Sequence, residues 1–298
     1  MPPAKRFAGR NGNPRYAALY RHYPTVDYLR RRARSRGPYF AFEYADGGAG
    51  QDDSGIRRNW AALDAVEIVP RYGAMPSLPA CDVELFGRRY AAPIGIAPMG
   101  GPSIVWPGAD EILAKAAQRA NIPYTLSTAG GATIERIGEV APDVFWLQLY
   151  RFEKDDHAIE RDLVGRAENA GCQVLVLTLD VPVATTRARG VVVGLGGAFR
   201  PNLRMLLAML RTPGWTRALI RNGQPRFVNL RPYVGENAGL NDVIAFAQRE
   251  MSGAFTWDEV ARYRDRWKAK LVVKGIMHPD DAGKSVALGV DGNMVSNH

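Results

Sequence analysis

Cysteine is scarce in this 298-residue sequence: Cys81 and Cys172 stand far apart, with no Cys-x-x-Cys pair and no His at ligand spacing. That excludes a disulfide framework and gives no zinc pattern, so no metal is expected. No apolar run reaches the roughly 18 residues that a membrane-spanning helix needs. The basic opening MPPAKRFAGRNGNPRY has no apolar stretch behind it, so no secretory signal is read and a cytoplasmic location is expected. The glycine-rich GVVVGLGGAF (190–199) lacks the spacing of either common phosphate-binding loop and reads as ordinary loop. What remains, 46% hydrophobic and 23% charged residues, is ordinary globular composition that can bury a sizeable core.

The net charge of +9 is localised. Residues 1–38 hold ten of the 39 basic residues (Lys5, Arg6, Arg10, Arg15, Arg21, Arg30, Arg31, Arg32, Arg34, Arg36) against one acid, Asp27, which leaves 29 of each sign in the rest. Such an arm can touch an anionic membrane or nucleic acid, or be a solvated helix around RRRARSR. No interleaved aromatics accompany it, so nucleic acid is not expected.

From Pro93 onward short apolar runs alternate with amphipathic stretches: PIGIAP (93–98), IPYTLS (122–127), VFWLQLY (144–150), VLVLTL (174–179), LVVK (271–274) and DGNMVSNH (291–298). Continuous apolar runs of strand length, without hairpin signals, indicate parallel strands buried on both faces. Between them, spacing predicts a helix over 109–120 with Ile112, Leu113, Ala116, Ala117 and Ala120 inward, and another with Ile159, Leu163, Val164, Ala167 and Ala170 inward, ended by Gly171. Thr256 to Glu259 form a capping box, and Pro279, Asp280 and Asp281 open a further helix. The expected fold is α/β, a (β/α)8 barrel incomplete here, with about six of eight units and an N-terminal helical arm. The expected division is 1–92, a basic arm and lead-in, and 93–298, a partial barrel interrupted by an insertion at about 188–254. In that insertion Arg and Trp flank Leu-rich turns, which suits a lid or packing helix over the barrel mouth or a contact with a membrane surface.

Barrel sites form at the carboxyl ends of strands. There this sequence places Pro98, Met99 and Gly100, then Ser127, Gln148, Tyr150, Thr178, Asp180, Lys274, Ser296 and His298. Hydroxyl and amide groups can bond a heteroaromatic edge, a Lys can stabilise a ring that gains negative charge, and a His beside an Asp can move a proton. Singly, each has a plainer reading: strand-end Ser and Thr close turns, and a buried Lys finds a carboxylate. Together they point to a site. His22, His157 and His278 read as surface or capping residues.

The segments FEYADGGAG (42–50), RRNWAALDAVEIVPR (57–71), PIGIAPMG (93–100), LSTAGGAT (126–133), FWLQLY (145–150), LTLDVPVATTRARG (177–190), WDEVARYRDRW (257–267), LVVKGIMHPDDA (271–282) and GVDGNMVSNH (289–298) resemble, in order, the FMN-dependent α-hydroxy-acid oxidase and dehydrogenase family of lactate, glycolate and mandelate enzymes. The resemblance implies FMN as cofactor, held by Pro98, Met99, Gly100, Ser127, Gln148, Thr178, Lys274 and Ser296. It implies a 2-hydroxy acid as substrate, with Tyr44 on its carboxylate, Tyr150 near the reacting hydroxyl and Arg187 close by. It makes His298 the catalytic base and Asp180 the group that holds its imidazole, with Tyr150 also catalytic. Oxygen, a quinone or a cytochrome would reoxidise the flavin, and the family's usual assembly is a homo-oligomer.

The family motif continues beyond His298 with an arginine that clamps the substrate carboxylate, followed by loops that hold the FMN phosphate. The expectation is that the sequence is a fragment, and that the isolated 298-residue polypeptide holds FMN poorly and does not turn over. Gly100, Ala129 and Ala184 are small where pocket walls are expected, which predicts a substrate larger than glycolate, from lactate up to aryl or long-chain acids. Asn293 stands where the family has an apolar residue. Two other readings stay open: a non-catalytic relative that serves as a binding protein, and another flavin barrel enzyme such as an isomerase, which would not need the set Tyr44, Tyr150, Asp180 and His298.

Overall fold

The computed structural model describes residues 14–73, 79–182, 187–195, 200–235, 238–251 and 253–298. Lys5, Arg6, Arg10, Ala184 and residues 196–199 of the glycine-rich stretch lie outside the described residues.

The chain opens with helices α1 (Pro14–His22), α2 (Val26–Arg36), α3 (Tyr39–Asp46) and α4 (Ser54–Asp64). No residue of α2 is buried, so the RRRARSR segment is the solvated helix that its charge allows. A hairpin of β1 (Val83–Leu85) and β2 (Arg88–Tyr90) follows, which the sequence pattern did not announce. Its turn residues Phe86 and Gly87 both have positive φ, 55° and 79°; the Phe86 ring packs at 5.7 Å on that of Trp146.

Next come α5 (Pro102–Val105), α6 (Ala109–Ala120), β3 (Tyr124–Ser127), α7 (Ile134–Val140), β4 (Phe145–Leu149), α8 (Lys154–Asn169) and β5 (Val174–Thr178). Four helices then intervene, α9 (Ala188–Val192), α10 (Leu203–Arg211), α11 (Pro213–Asn222) and α12 (Leu240–Glu250), before α13 (Trp257–Arg266), β6 (Lys270–Lys274), α14 (Pro279–Ala287) and β7 (Gly292–Met294). The helix α9 corrects the reading of 190–199 as loop throughout: Gly190 to Val192 are helical.

Strands β3 to β7 form one parallel sheet in chain order, the topology that the alternation of runs and helices predicts. Every residue of β3, β4 and β5 is buried, because helices cover one face and inward side chains fill the other. The core gathers Ala114 and Ala117 of α6, Ile134 and Ile137 of α7, Leu163, Val164 and Ala167 of α8, and Val260 of α13 around those strands. No closed barrel forms among the described residues. The run 93–98 is reduced from a strand to a single bridge, Ile96 to Tyr124; Pro93 and Pro98 bound it and supply no backbone donor.

The face of α6 also differs from the expected one. Ile112 is 53% exposed, whereas Ala114 and Ala117 are fully buried. The buried Asp110 sets that phase: its carboxylate accepts from the Gly131 amide at 2.9 Å and the Ser103 hydroxyl at 3.1 Å. Residues 110, 114 and 117 therefore turn inward.

Candidate active site

The carboxyl ends of four neighbouring strands bring together most of the residues singled out above. Ser127 donates to Gln148 Oε1 at 2.7 Å, and Gln148 Nε2 donates to Thr178 Oγ1 at 2.8 Å. The strand register places Ser127 opposite Gln148 and Thr178 opposite Lys274, so this polar ladder follows from the sheet itself. All three members are buried. Burying such groups is costly unless they are bonded, and the ladder satisfies that requirement.

Asp180 lies just beyond β5 and accepts twice. Lys274 Nζ donates to its Oδ2 at 2.8 Å, and His298 Nδ1 lies 2.8 Å from its Oδ1. Burial alone would raise the Asp180 carboxyl, but the bonds from His298 and Lys274 outweigh that and hold it at about 2. An ionised Asp180 fixes the imidazole with its proton on Nδ1, so the 3.0 Å approach of Lys274 Nζ to the same nitrogen brings two donors together on their shared carboxylate and is not a second bond. Nε2 is left without a protein partner among the described residues, ready to accept a proton. Gly275 makes the packing possible: its φ is 104°, and a Cβ there would lie 2.4 Å from the Asp180 Cβ.

These groups line one cavity of about 1090 Å³, with Tyr44, Pro98, Met99, Gly100, Gln148, Tyr150, Thr178, Arg187, Lys274, Ser296 and His298 on its wall. Ser127 is not on that wall; it bonds Gln148 from behind. Ser296 Oγ accepts from the His298 amide at 2.9 Å and so braces the last residue. Tyr150 has its ring 6.5 Å from that of His298, and its hydroxyl is pushed up to about 12 by burial and then by the Asp180 charge. Burial also raises Tyr44, against the pull of Arg187. The Tyr44 hydroxyl donates to the Gly100 carbonyl at 2.8 Å, so an anion bound there must take over a proton already in use.

The cavity exceeds the usual small-ligand site of about 300–1,000 Å³, which leaves room for a cofactor and a substrate together. Gln148 and Thr178 keep unspent bonding capacity at the wall, Lys274 adds a cation, and a Cβ on Gly100 would meet only the Ala129 Cβ, at 3.8 Å. A polar edge together with a backbone at Gly100 that no side chain covers fits the ring of a flavin. Gly100 is on the cavity wall, whereas Ala129 is buried beside it, within contact distance of a Cβ on Gly100, and does not line the cavity; Ala184 lies outside the described residues.

Of the histidines set aside, His278 accepts from the Asp280 amide and caps α14. His157 is more enclosed than expected, with Nδ1 at 3.3 Å from Glu160 and Nε2 at 3.5 Å from Glu259. Arg189 was missed altogether. It binds Glu43, Asp46 and Asp53 beside the cavity, and nothing in an arginine-rich sequence marks it out.

The sequence matches the family model described as FMN-dependent dehydrogenase over residues 33–298. It is 36% identical over 275 residues to an L-lactate dehydrogenase of Ectopseudomonas mendocina (strain ymp), a match covering 92% of this chain and 71% of that protein. Its structure resembles the monotopic membrane protein (S)-mandelate dehydrogenase with a TM-score of 0.84 and 30% identity, over 92% of this chain and 72% of the other. A mandelate oxidase gives a TM-score of 0.70 at 29% identity, over 93% and 69%.

Proposed function

The chain belongs to the FMN-dependent dehydrogenase family, and from that premise we propose that its cavity oxidises an L-2-hydroxy acid, lactate or larger, to the 2-oxo acid. The observation that carries the reading is the Lys274–Asp180–His298 cluster at the end of a cavity with a polar floor edge. FMN, when bound, supplies a two-electron acceptor beside the substrate carbon. Gln148, Thr178, Lys274 and Ser296, with the backbone at Pro98, Met99 and Gly100, are the residues that hold it, and Ser127 orients Gln148.

The protein's own part is binding and proton transfer. Arg187 and the hydroxyl of Tyr44 take the substrate carboxylate, Tyr44 exchanging its bond to Gly100 for one to the anion. Tyr150 donates to the substrate oxygen; with its hydroxyl held near 12 by burial, it stays protonated at neutral pH. His298 Nε2 accepts the substrate proton, and Asp180 stabilises the imidazolium that results. Lys274 balances the Asp180 charge and leaves a cation at the cavity wall.

The absence of a side chain at Gly100 on the cavity wall supports a side chain larger than a hydrogen on the substrate. The outer faces of α10 and α11 support a membrane contact: Leu203, Leu206, Leu207, Leu210 and Ile220 are exposed beside Arg204, Arg211, Arg217 and Arg221. No helix among the described residues is long and apolar enough to cross a membrane.

The reductive half-reaction tests the reading without demanding turnover. At saturating FMN and without oxygen, adding L-lactate or (S)-mandelate bleaches the flavin's visible band and yields one 2-oxo acid per flavin. Absence of bleaching with every 2-hydroxy acid at saturating FMN overturns it and leaves a binding protein.

A further inference from the structure

Two segments that carry cavity residues also carry charged residues that bind each other. Tyr44 sits in α3 between Glu43 and Asp46; Arg187 precedes α9, and Arg189 lies two residues further on. Arg189 Nε donates to Glu43 at 2.5 Å, Nη1 to Asp53 at 2.9 Å and Nη2 to the Asp46 carboxylate at 3.0 Å. Nη1 also reaches the Asp46 carbonyl at 3.0 Å. All three acids belong to the N-terminal segment, more than 130 residues earlier in the chain. Among the described residues Arg189 makes every side-chain hydrogen bond between α3 and α9, to Glu43 and Asp46.

The segment is shaped to meet it. Asp53 Oδ1 accepts from the Gly48 amide at 2.9 Å, and Arg30 binds both carboxylate oxygens of Asp46, sharing Oδ2 with Arg189. A Cβ on Gly48 would lie 2.4 Å from Ile56, and one on Gly47 2.8 Å from the Glu43 carbonyl, so the turn after α3 admits no side chain. A planar guanidinium with five donors can join three carboxylates at fixed angles, which a lysine cannot.

We infer that Arg189 is a positioning residue, which fixes the segment bearing Tyr44 against the segment bearing Arg187 and so sets the spacing of the two groups that grip the substrate carboxylate. The inference rests on the carboxylate-binding reading of those two residues. Arg189 is not on the cavity wall; it acts through the backbone on either side.

The experiment incorporates 3-fluorotyrosine and follows the fluorine resonance of Tyr44, identified by its loss in Tyr44→Phe. In Arg189→Ala the Tyr44 resonance shifts or broadens, while those of Tyr124, buried in the body, and Tyr263, half-buried there, stay in place. Glu43→Gln and Asp53→Asn each remove one arm and give smaller shifts of the same resonance, and Arg189→Lys falls between wild type and Arg189→Ala. In the FMN-saturated protein Arg189→Ala raises the half-saturating 2-hydroxy acid concentration about tenfold and changes the limiting bleaching rate less than about twofold. A Tyr44 resonance that does not move in any of these variants overturns the inference, as does a parallel loss of the Tyr124 and Tyr263 signals in the single-arm variants. If Tyr44 moves as expected but Tyr44→Phe binds substrate normally, the carboxylate reading fails and the positioning by Arg189 stands.

Discussion

At the residue scale the account turns on Asp180. Its carboxyl is held at about 2 in the folded chain, against an ordinary value of about 3.9. A depressed folded value means that the stabilisation is complete above about pH 4 and is lost as pH falls through about 2. Asp180→Asn is therefore predicted to destabilise the protein by on the order of 2 kcal/mol at neutral pH, with a difference from wild type that vanishes by about pH 2. Denaturant unfolding of both proteins across that range measures it. The small residue at position 129 yields a second prediction: Ala129→Trp lowers the bleaching rate with (S)-mandelate by about tenfold or more relative to that with glycolate, because an indole has no room against Gly100 and must enter the cavity that the larger substrate needs.

Residues of this kind were legible to different degrees for physical reasons. The pairing of His298 with Asp180 followed from the resemblance, and that of Lys274 with a carboxylate from the cost of burying a lone ammonium. Their convergence on one carboxylate, and the Tyr44 bond to Gly100, depend on backbone placement that no spacing encodes. Arg189 was invisible because its partners are remote in sequence and its residue type is common here.

At the element scale the strands were the easiest to read, since an apolar run buried on both faces leaves little choice. The phase of α6 was misread because periodicity counts apolar residues, whereas a buried aspartate, Asp110, turned the helix. The hairpin β1–β2 went unnoticed because its turn is Phe86-Gly87 rather than an Asn-Gly or Asp-Gly pair. The α10–α11 pair shows both faces of the expectation. Met205 and Trp215 pack inward on Phe40 and Ala41 of α3, while the leucines of the opposite faces remain exposed. Met205→Ala is predicted to cost about 2–5 kcal/mol in thermal or denaturant unfolding. Leu207→Glu combined with Leu210→Glu should leave stability nearly unchanged and lower sedimentation with vesicles containing anionic lipid; unchanged sedimentation would remove the membrane contact from the proposal.

At the scale of the whole molecule, five parallel strands place Ser127, Gln148, Thr178 and Lys274 side by side, and the loops after β5 and β7 bring Asp180 and His298 over their ends. The arm contributes Glu43, Tyr44 and Ala45 to the cavity wall, and the insertion contributes Arg189, which holds the arm in place. Chain order and sheet order coincide, which is why so much of the architecture could be read from the alternation of runs. The measurement that bears most directly on the central claim is the rate of anaerobic flavin bleaching by L-lactate at saturating FMN, in wild type and in His298→Gln. The account predicts bleaching in the wild type and a rate lower by about 10²–10⁴ in the variant; equal rates in the two would show that His298 does not take the substrate proton.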